Sequence, residues 1–188
     1  MMRSLIVFTQ FTFFIVTSCC FLQSCNSSKG ATKKTVISNP PANSKSNIPS
    51  RSINTKNVPS DSVVSFAETL VGIKYKYGSA IKEQGFDCSG FISYVFAHFN
   101  ISVPRSSVDF TNTGTPVSLA GSRRGDLILF TGSDTTGHII GHMGIITENK
   151  LGKIRFIHSA SGNAKGVMIS EMNDYFITRF VKVTRIFK

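Results

Sequence analysis

The segment Phe86-Asp87-Cys88-Ser89-Gly90-Phe91 opens a run of apolar residues that recur at helical spacing as far as Asn100. This periodicity predicts a buried helix that begins at Cys88, and Pro104 prevents the helix from continuing. A thiol at a helix N-terminus lies at the positive end of the helix dipole, which favours the thiolate form. The segment therefore predicts a nucleophilic cysteine at the start of a core helix.

The regions around this helix predict an α+β domain. A further helix is predicted over Ser60–Leu70, and residues 74–87 are predicted to form a loop. Five short segments rich in β-branched and aromatic residues follow, and turn residues separate them: Leu127–Phe130, Met143–Thr147, Ile154–His158, Val167–Ser170 and Phe180–Phe187. Helices first and strands afterwards indicate N-terminal helices packed on an antiparallel β-sheet.

Cys88 needs a partner that accepts its proton, because the neighbouring Asp87 carboxylate opposes ionisation of the thiol. His142 opens one predicted strand, and His158 ends the next one. Adjacent antiparallel strands can bring their ends within hydrogen-bonding distance. The pattern predicts a Cys–His–polar triad, in which one imidazole acts on the thiol and the other orients it.

The other two histidines are interpreted as bystanders. His98 lies within the apolar helix and is expected to be a structural or surface residue, whereas His138 is expected to lie in a loop. A metal site built from Cys88 and the histidines is disfavoured, because the sequence lacks the paired Cys-x-x-Cys and His-Glu-x-x-His spacings of zinc sites. No metal ion or other cofactor is therefore expected.

Residues 1–24 have the composition of an export signal peptide. A cationic start at Arg3 precedes an uncharged apolar stretch from Leu5 to Leu22, and the composition turns polar directly after Cys25. Leu22-Gln23-Ser24-Cys25 resembles the lipobox of a bacterial lipoprotein, in which Cys25 would become the lipidated first residue. An uncleaved membrane helix and simple secretion are the alternatives.

Residues 25–60 are predicted to be a disordered basic linker, and residues 61–188 a single domain. The linker holds six cations and no acidic residue, whereas the domain holds 14 Lys and Arg against 10 Asp and Glu. Most of the formal net charge of +11 therefore lies outside the domain. This distribution disfavours a nucleic-acid partner and is consistent with contact of the linker with anionic lipids or cell-wall polymer. A linker that is merely soluble is the equal alternative. The domain is expected to be a monomer.

Six short segments stand out along the domain: Gly72–Gly78, Phe86–Phe91, Val103–Ser107, Gly125–Leu127, Gly141–Ile145 and Phe156–Ser161. In order and spacing they resemble the motifs of the NlpC-type cell-wall endopeptidases, a family named after New lipoprotein C and a sixty-kilodalton cell-wall protein. The resemblance covers residues 61–188 and implies a papain-like cysteine peptidase fold. Ser79 stands where the family usually has a second glycine, which bears on substrate preference.

The resemblance also implies roles for individual residues. Cys88 corresponds to the nucleophile, His142 to the general base and His158 to the residue that orients His142. Four further residues match positions expected to bind substrate: Tyr75, Asp87, Ser89 and Arg105.

The implied function is that of a membrane-anchored endopeptidase that hydrolyses peptidoglycan stem peptides, at the bond between γ-D-glutamate and a diamino acid. Its expected place is the cell envelope, on the exported side of a bacterial membrane, facing the periplasm in a Gram-negative cell. Its partners would be peptidoglycan or its peptide fragments and, through the lipid on Cys25, the membrane. A non-catalytic wall-binding lipoprotein on the same scaffold, and an amidase or acyltransferase of similar fold, are the alternatives.

Overall fold

The computed structural model describes residues 50–162 and 166–188. The predicted signal peptide over residues 1–24, the predicted lipidation site Cys25 and residues 26–49 of the predicted linker lie outside the described residues. Within the described ranges, every helix is too short or too polar to cross a membrane.

The described part of the chain contains three α-helices and one 3₁₀ helix: α1 at Ser60–Glu68, α2 at Cys88–His98, the 3₁₀ helix at Ser107–Phe110 and α3 at Asp174–Ile177. The helices α1 and α2 correspond to the two predicted helices, and α2 begins at Cys88 as predicted. The sequence analysis missed α3, because a single helical turn presents too little apolar periodicity to be recognised.

A six-stranded antiparallel sheet follows the first two helices. Its strands are β3 at Thr115–Val117, β4 at Leu127–Thr131, β5 at Ile140–Lys150, β6 at Lys153–Ala160, β7 at Gly166–Glu171 and β8 at Phe180–Arg185. Their order across the sheet is β3-β8-β4-β5-β6-β7. All five predicted strands are present. The missed strand β3 contains Pro116 and exists through its pairing with the distant β8, which local sequence does not reveal.

Two predicted boundaries are wrong. Residues 74–87 are not simply a loop, since they contain a two-stranded hairpin of β1 at Ala80–Ile81 and β2 at Gly85–Phe86. Residues 50–60 were predicted as the end of a disordered linker, but Arg51 bridges to Thr113 and Ile53 packs against the core. Because Ile53 and Arg51 find partners only in the folded domain, composition alone did not reveal this packing.

The sheet buries both of its faces, and strand β4 shows how. Leu127 and Leu129 point into a core shared with α1 and α2, whereas Ile128 and Phe130 belong to a second core on the opposite face. This alternation is the period of two that a strand imposes on its side chains. Helices on an antiparallel sheet are the predicted α+β architecture.

The first turn of α2 is held against the β1–β2 hairpin. Asp87 caps the helix, and its Oδ1 accepts a hydrogen bond from the Gly90 backbone N–H at 2.6 Å. The Asp87 N–H in turn donates to the Ser79 carbonyl at 3.0 Å. A Cβ atom on Gly90 would lie 2.1 Å from that carbonyl oxygen. Only glycine therefore lets the hairpin backbone come this close to the helix.

We expect Gly90→Ala to lower the free energy of unfolding by about 2 kcal/mol or more, because the added methyl group collides with backbone rather than with a flexible side chain. Gly162→Ala is the matched control: among the described residues no atom lies within 4 Å of its added Cβ, and a change within about 0.5 kcal/mol is expected. Urea unfolding of both variants measures the difference. Equal midpoints would contradict this account of the helix start.

Candidate active site

A cleft of about 950 Å³ opens beside the N-terminus of α2. Its walls contain Cys88, His142 and His158, the three residues that the sequence analysis joined in a candidate triad, and also Tyr75. The structure therefore brings together residues that lie up to 83 positions apart in the sequence, from Tyr75 to His158. Of the four residues predicted to bind substrate, Tyr75 is the one on this wall.

The Cys88 sulfur lies against the backbone of strand β5. Its Sγ is 3.8 Å from the Gly141 carbonyl oxygen, and the N–H of Met143 also points toward the sulfur. These two residues flank His142, so strand β5 runs past the sulfur at the position of the predicted base. On the other side, Ser159 of β6 donates to the Phe86 carbonyl at 2.8 Å, which fastens the start of α2 to the strand that carries His158.

The thiol is protonated in the resting site. Burial raises the pKa of Cys88, and the Asp87 carboxylate raises it further. The backbone N–H groups of Ser89, Cys88 and Met143 oppose this shift but do not outweigh it. The N–H groups at the start of α2 favour the thiolate, as expected, but burial and the Asp87 carboxylate together outweigh them in the resting state.

The two imidazoles bond directly to each other. The Nε2 atom of His142 lies 2.8 Å from Nδ1 of His158, since β5 and β6 are neighbours in the sheet. On its far side, Nε2 of His158 lies 2.9 Å from the Ser170 hydroxyl on β7. The chain His142–His158–Ser170 therefore crosses three adjacent strands. The sequence analysis missed Ser170, because nothing in the sequence marks a serine that depends on strand pairing.

These hydrogen bonds leave His142 able to accept a proton in one of its two tautomers. When Nε2 of His142 carries the hydrogen and donates to His158, its Nδ1 is the free acceptor for the thiol proton. His158 must then carry its own hydrogen on Nε2 and donate it to Ser170. All ring nitrogens except Nδ1 of His142 are satisfied in this arrangement, which leaves one basic atom for chemistry.

Aromatic side chains desolvate the imidazole pair. The ring centroid of Phe156 lies 4.9 Å from that of His158, and the centroid of Phe176 lies 5.6 Å from it. Burial lowers the pKa of His142 to about 4. Burial, and then the proximity of His142, lowers the pKa of His158 to about 3. Both imidazoles are therefore neutral at pH 7.

Asp87, Ser89 and Arg105 form a polar cluster at the helix start. The Arg105 guanidinium meets both Asp87 carboxylate oxygens, at 3.1 and 2.8 Å, and also contacts the Ser89 hydroxyl at 3.0 Å. Asp87 is thus occupied by its cap and its ion pair, and none of the three lines the cleft within the described residues. Their role in substrate binding stays a prediction, whereas the structure assigns Arg105 as the counter-ion of Asp87.

The two remaining histidines lie where the sequence analysis placed them. His98 stacks on Phe66 with ring centroids 3.7 Å apart, which is a packing contact. His138 is exposed in the turn before β5.

Ser79, the departure from the family motif, does not line the cleft; its hydroxyl accepts the Ile81 N–H within the β1–β2 hairpin. Across residues 50–162 and 166–188, no three His, Cys, Asp or Glu side chains are grouped to hold a metal ion.

Two helices on an antiparallel sheet, with a cysteine at a helix start and imidazoles on the strands lining one cleft, define a papain-like domain. The model of the NlpC/P60 family matches residues 72–185, and the chain belongs to that family. This confirms both the resemblance and the predicted fold class.

The most similar relatives are hydrolases and peptidases by name, which confirms the enzyme class predicted for the family. The chain is 33% identical to the Gamma-DL-glutamyl hydrolase of Bacillus subtilis over 68% of its length, which is 30% of that protein. It is 34% identical to the Murein DD-endopeptidase MepS/Murein LD-carboxypeptidase of Escherichia coli, over 61% of this chain and 56% of that one. The chain thus matches about half or less of these relatives' lengths.

Among solved structures, the domain resembles the peptidoglycan hydrolase RipB of Mycobacterium tuberculosis. The TM-score is 0.54 at 27% sequence identity, and the match covers 71% of each chain.

The neutral imidazole pair predicts a loss of stability in mild acid. A histidine whose folded-state pKa is lowered stabilises the fold fully above its unfolded pKa, near 6.5, and loses this contribution as the pH falls toward the folded value. With folded pKa values of about 4 and about 3, the free energy of unfolding should decline below pH 6.5. The limit is about 1.4 kcal/mol per pH unit for each imidazole, less for the partly exposed His142.

Chemical unfolding between pH 7.5 and 4.5 measures this decline. His158→Gln should flatten it, whereas the control His138→Gln, at an exposed loop position, should leave the slope unchanged. NMR titration of the imidazole resonances provides a second measurement. Titration of both His142 and His158 near pH 6.5 would contradict the prediction.

Proposed function

We propose that this chain is a cysteine peptidase that hydrolyses amide bonds in the stem peptides of peptidoglycan. The observation that carries the proposal is that one cleft is lined by a thiol at a helix start and by the hydrogen-bonded residues His142, His158 and Ser170. A thiol and an imidazole with one free basic nitrogen in the same cleft are the groups that nucleophilic catalysis by cysteine requires. The names of the relatives support peptidoglycan as the substrate.

The reaction starts from a neutral thiol and a neutral imidazole. The Nδ1 atom of His142 takes the proton of Cys88 as the sulfur attacks the carbonyl carbon of the scissile amide. The carbonyl oxygen becomes an oxyanion beside the helix N-terminus, where the backbone N–H of Cys88 can stabilise it. His142 then returns its proton to the leaving amine, and a thioester on Cys88 remains.

Hydrolysis of the thioester completes the cycle. His142 takes a proton from a water molecule that attacks the acyl carbon, the carbon–sulfur bond breaks, and the proton returns to the sulfur. Throughout both halves, His158 holds the imidazolium of His142 by accepting its Nε2–H, and Ser170 holds His158. The imidazolium is thus stabilised by a neutral acceptor rather than by a carboxylate.

The bond between γ-D-glutamate and a diamino acid is the scissile bond that we propose. A relative named for γ-glutamyl hydrolysis supports this choice. The relative from Escherichia coli is named for other bonds, so mass spectrometry of digested peptidoglycan is the decisive measurement. Release of products that end in a glutamate with a free γ-carboxylate supports the proposal, and glycan strands freed of whole peptides support an amidase instead. Undigested wall that retains the protein supports a non-catalytic binder.

We expect Cys88→Ala to lower the rate of peptide release from purified peptidoglycan by at least about 1,000-fold, because removal of a nucleophile leaves only binding and oxyanion contacts. His98→Gln is the control, since His98 packs on Phe66 away from the cleft. Circular dichroism should show the fold of Cys88→Ala unchanged. Cleavage by a folded Cys88→Ala protein at a rate close to that of wild type would refute Cys88 as the nucleophile.

We also propose that Cys25 carries a lipid that anchors the chain to a bacterial membrane on the exported side. The support is the sequence of residues 1–25, with its cationic start, apolar stretch and lipobox-like end. Several acyl chains on one residue provide stable anchoring, whereas a single chain is marginal. The domain would then act on peptidoglycan next to the membrane.

Cys25→Ser should move the protein from the membrane fraction to the soluble fraction after cell lysis, because the lipid can no longer be attached. Cys20→Ser is the matched control and should stay with the membranes, since Cys20 lies within the predicted signal peptide. Immunoblotting of both fractions measures the distribution. If Cys25→Ser still sediments with membranes, the uncleaved membrane helix is the better explanation.

A further inference from the structure

Arg179 is, within the described part of the cleft wall, the one side chain that carries a charge at neutral pH. His142 and His158 are neutral there, and no Asp, Glu or Lys belongs to this wall. Arg179 follows α3 and directly precedes β8. A single cation in a cleft without carboxylates creates a local positive potential, which attracts an anionic group of a ligand.

The guanidinium of Arg179 is held in place on one side and free on the other. Its central carbon lies 3.9 Å from the centre of the Tyr175 ring. Its Nη1 donates to the Tyr175 carbonyl at 3.1 Å and to the Thr178 hydroxyl at 3.3 Å. The backbone is also fixed, because the Arg179 carbonyl accepts the Thr131 N–H at the end of β4, at 2.8 Å. Within the described residues, Nε and Nη2 have no partner.

Arg179 also lacks the carboxylate that neutralises other arginines of the domain. Three arginines have such a partner: Arg105 with Asp87, Arg124 with Glu68 and Arg185 with Asp126. All ten acidic side chains of the sequence lie in the described residues, and none of them is within ion-pair distance of Arg179. The Nε–Nη2 edge is therefore an unoccupied fork of two parallel donors.

Helix α3, which precedes Arg179, packs directly against the cleft residues His158 and Phe130. Phe176 of α3 lies edge-on to His158, with ring centroids 5.6 Å apart, and 5.3 Å from Phe130. Phe130 is the neighbour of His142 across the β4–β5 pair. Only one layer of aromatic side chains therefore separates α3 from the imidazole pair, and Arg179 lines the same cleft as that pair.

We propose that Arg179 binds a carboxylate of the peptide substrate next to the scissile amide, through a bidentate contact of its Nε–Nη2 edge. This inference rests on the proposed function. It adds that the enzyme recognises a negatively charged carboxylate of its substrate. A γ-linked glutamate keeps its α-carboxylate free, and a diamino acid on the other side of the bond keeps a carboxylate of its own. A guanidinium edge matches either group, because two parallel N–H donors meet two carboxylate oxygens.

Two pairs of synthetic stem peptides test the proposal. In the first pair the glutamate α-carboxylate is either free or converted to a carboxamide, and in the second pair the diamino-acid carboxylate is treated in the same way. Each peptide is assayed with wild type, Arg179→Gln, Arg179→Lys and the control Arg155→Gln, in which an arginine outside the cleft loses its charge. The amides keep the size of the carboxylates and remove only the charge.

Wild type should cleave the carboxylate member of at least one pair with a kcat/KM roughly 10- to 100-fold above that of its carboxamide, since a hydrogen bond to a charged group has about this effect. Arg179→Gln should abolish that preference by slowing only the carboxylate peptide. Arg179→Lys should retain part of it, and Arg155→Gln all of it. The pair that shows the effect identifies which carboxylate is bound.

Equal loss of kcat/KM on both members of both pairs would overturn the proposal, because it would show that Arg179 only supports the fold. No loss on any peptide would overturn it as well. Calorimetric binding of the same peptides to Cys88→Ala, with and without Arg179→Gln, requires no turnover. If wild type cleaves no peptide, the proposed function fails, while these binding data still decide whether Arg179 selects a carboxylate.

Discussion

The hydrogen bond between His142 and His158 is the interaction on which the rest of the site depends. A buried imidazole has two polar nitrogens, and an unpaired one would cost free energy. The pair satisfies Nε2 of His142 and Nδ1 of His158 with a single 2.8 Å contact, and Ser170 satisfies the outer nitrogen of His158. Only Nδ1 of His142 is left, and His142 lines the same cleft as Cys88, whose sulfur lies 3.8 Å from the carbonyl oxygen of the preceding residue Gly141. The hydrogen bond to His158 therefore both orients the His142 ring and leaves its Nδ1 as the available basic nitrogen.

Burial sets the charge state of the site. Phe130, Phe156 and Phe176 form one aromatic layer behind the imidazoles, and that layer keeps both rings neutral at pH 7. The thiol is likewise held in its protonated form. In the proposed mechanism, the proton of Cys88 therefore moves during the attack rather than before it.

The start of α2 reconciles two opposing requirements. The helix needs a capping carboxylate at Asp87, yet a negative charge next to Cys88 disfavours the thiolate. Arg105 binds that carboxylate through two hydrogen bonds and so offsets its charge without removing the cap. Gly90 completes the arrangement, because its lack of a side chain admits the hairpin carbonyl against the first turn.

Much of the site could be predicted because its signals are local. Helical periodicity after Cys88 and strand-like segments around His142 and His158 follow from side-chain spacing over a few residues, and so does the α+β class. Ser170, Arg179 and the pairing of Asp87 with Arg105 could not be predicted in this way. Their roles come from strand register, from the packing of α3 and from contacts between segments far apart in the chain.

The amino-acid sequence was sufficient to identify the nucleophile candidate, its two histidine partners and the kind of domain that carries them, since each depends on residue type and short-range pattern. Folding was needed to establish the protonation states, the serine at the end of the hydrogen-bonded chain and the uncompensated cation on the cleft wall. The reason is that burial and charge compensation are properties of three-dimensional neighbours, and these neighbours are supplied by residues that are remote in the sequence.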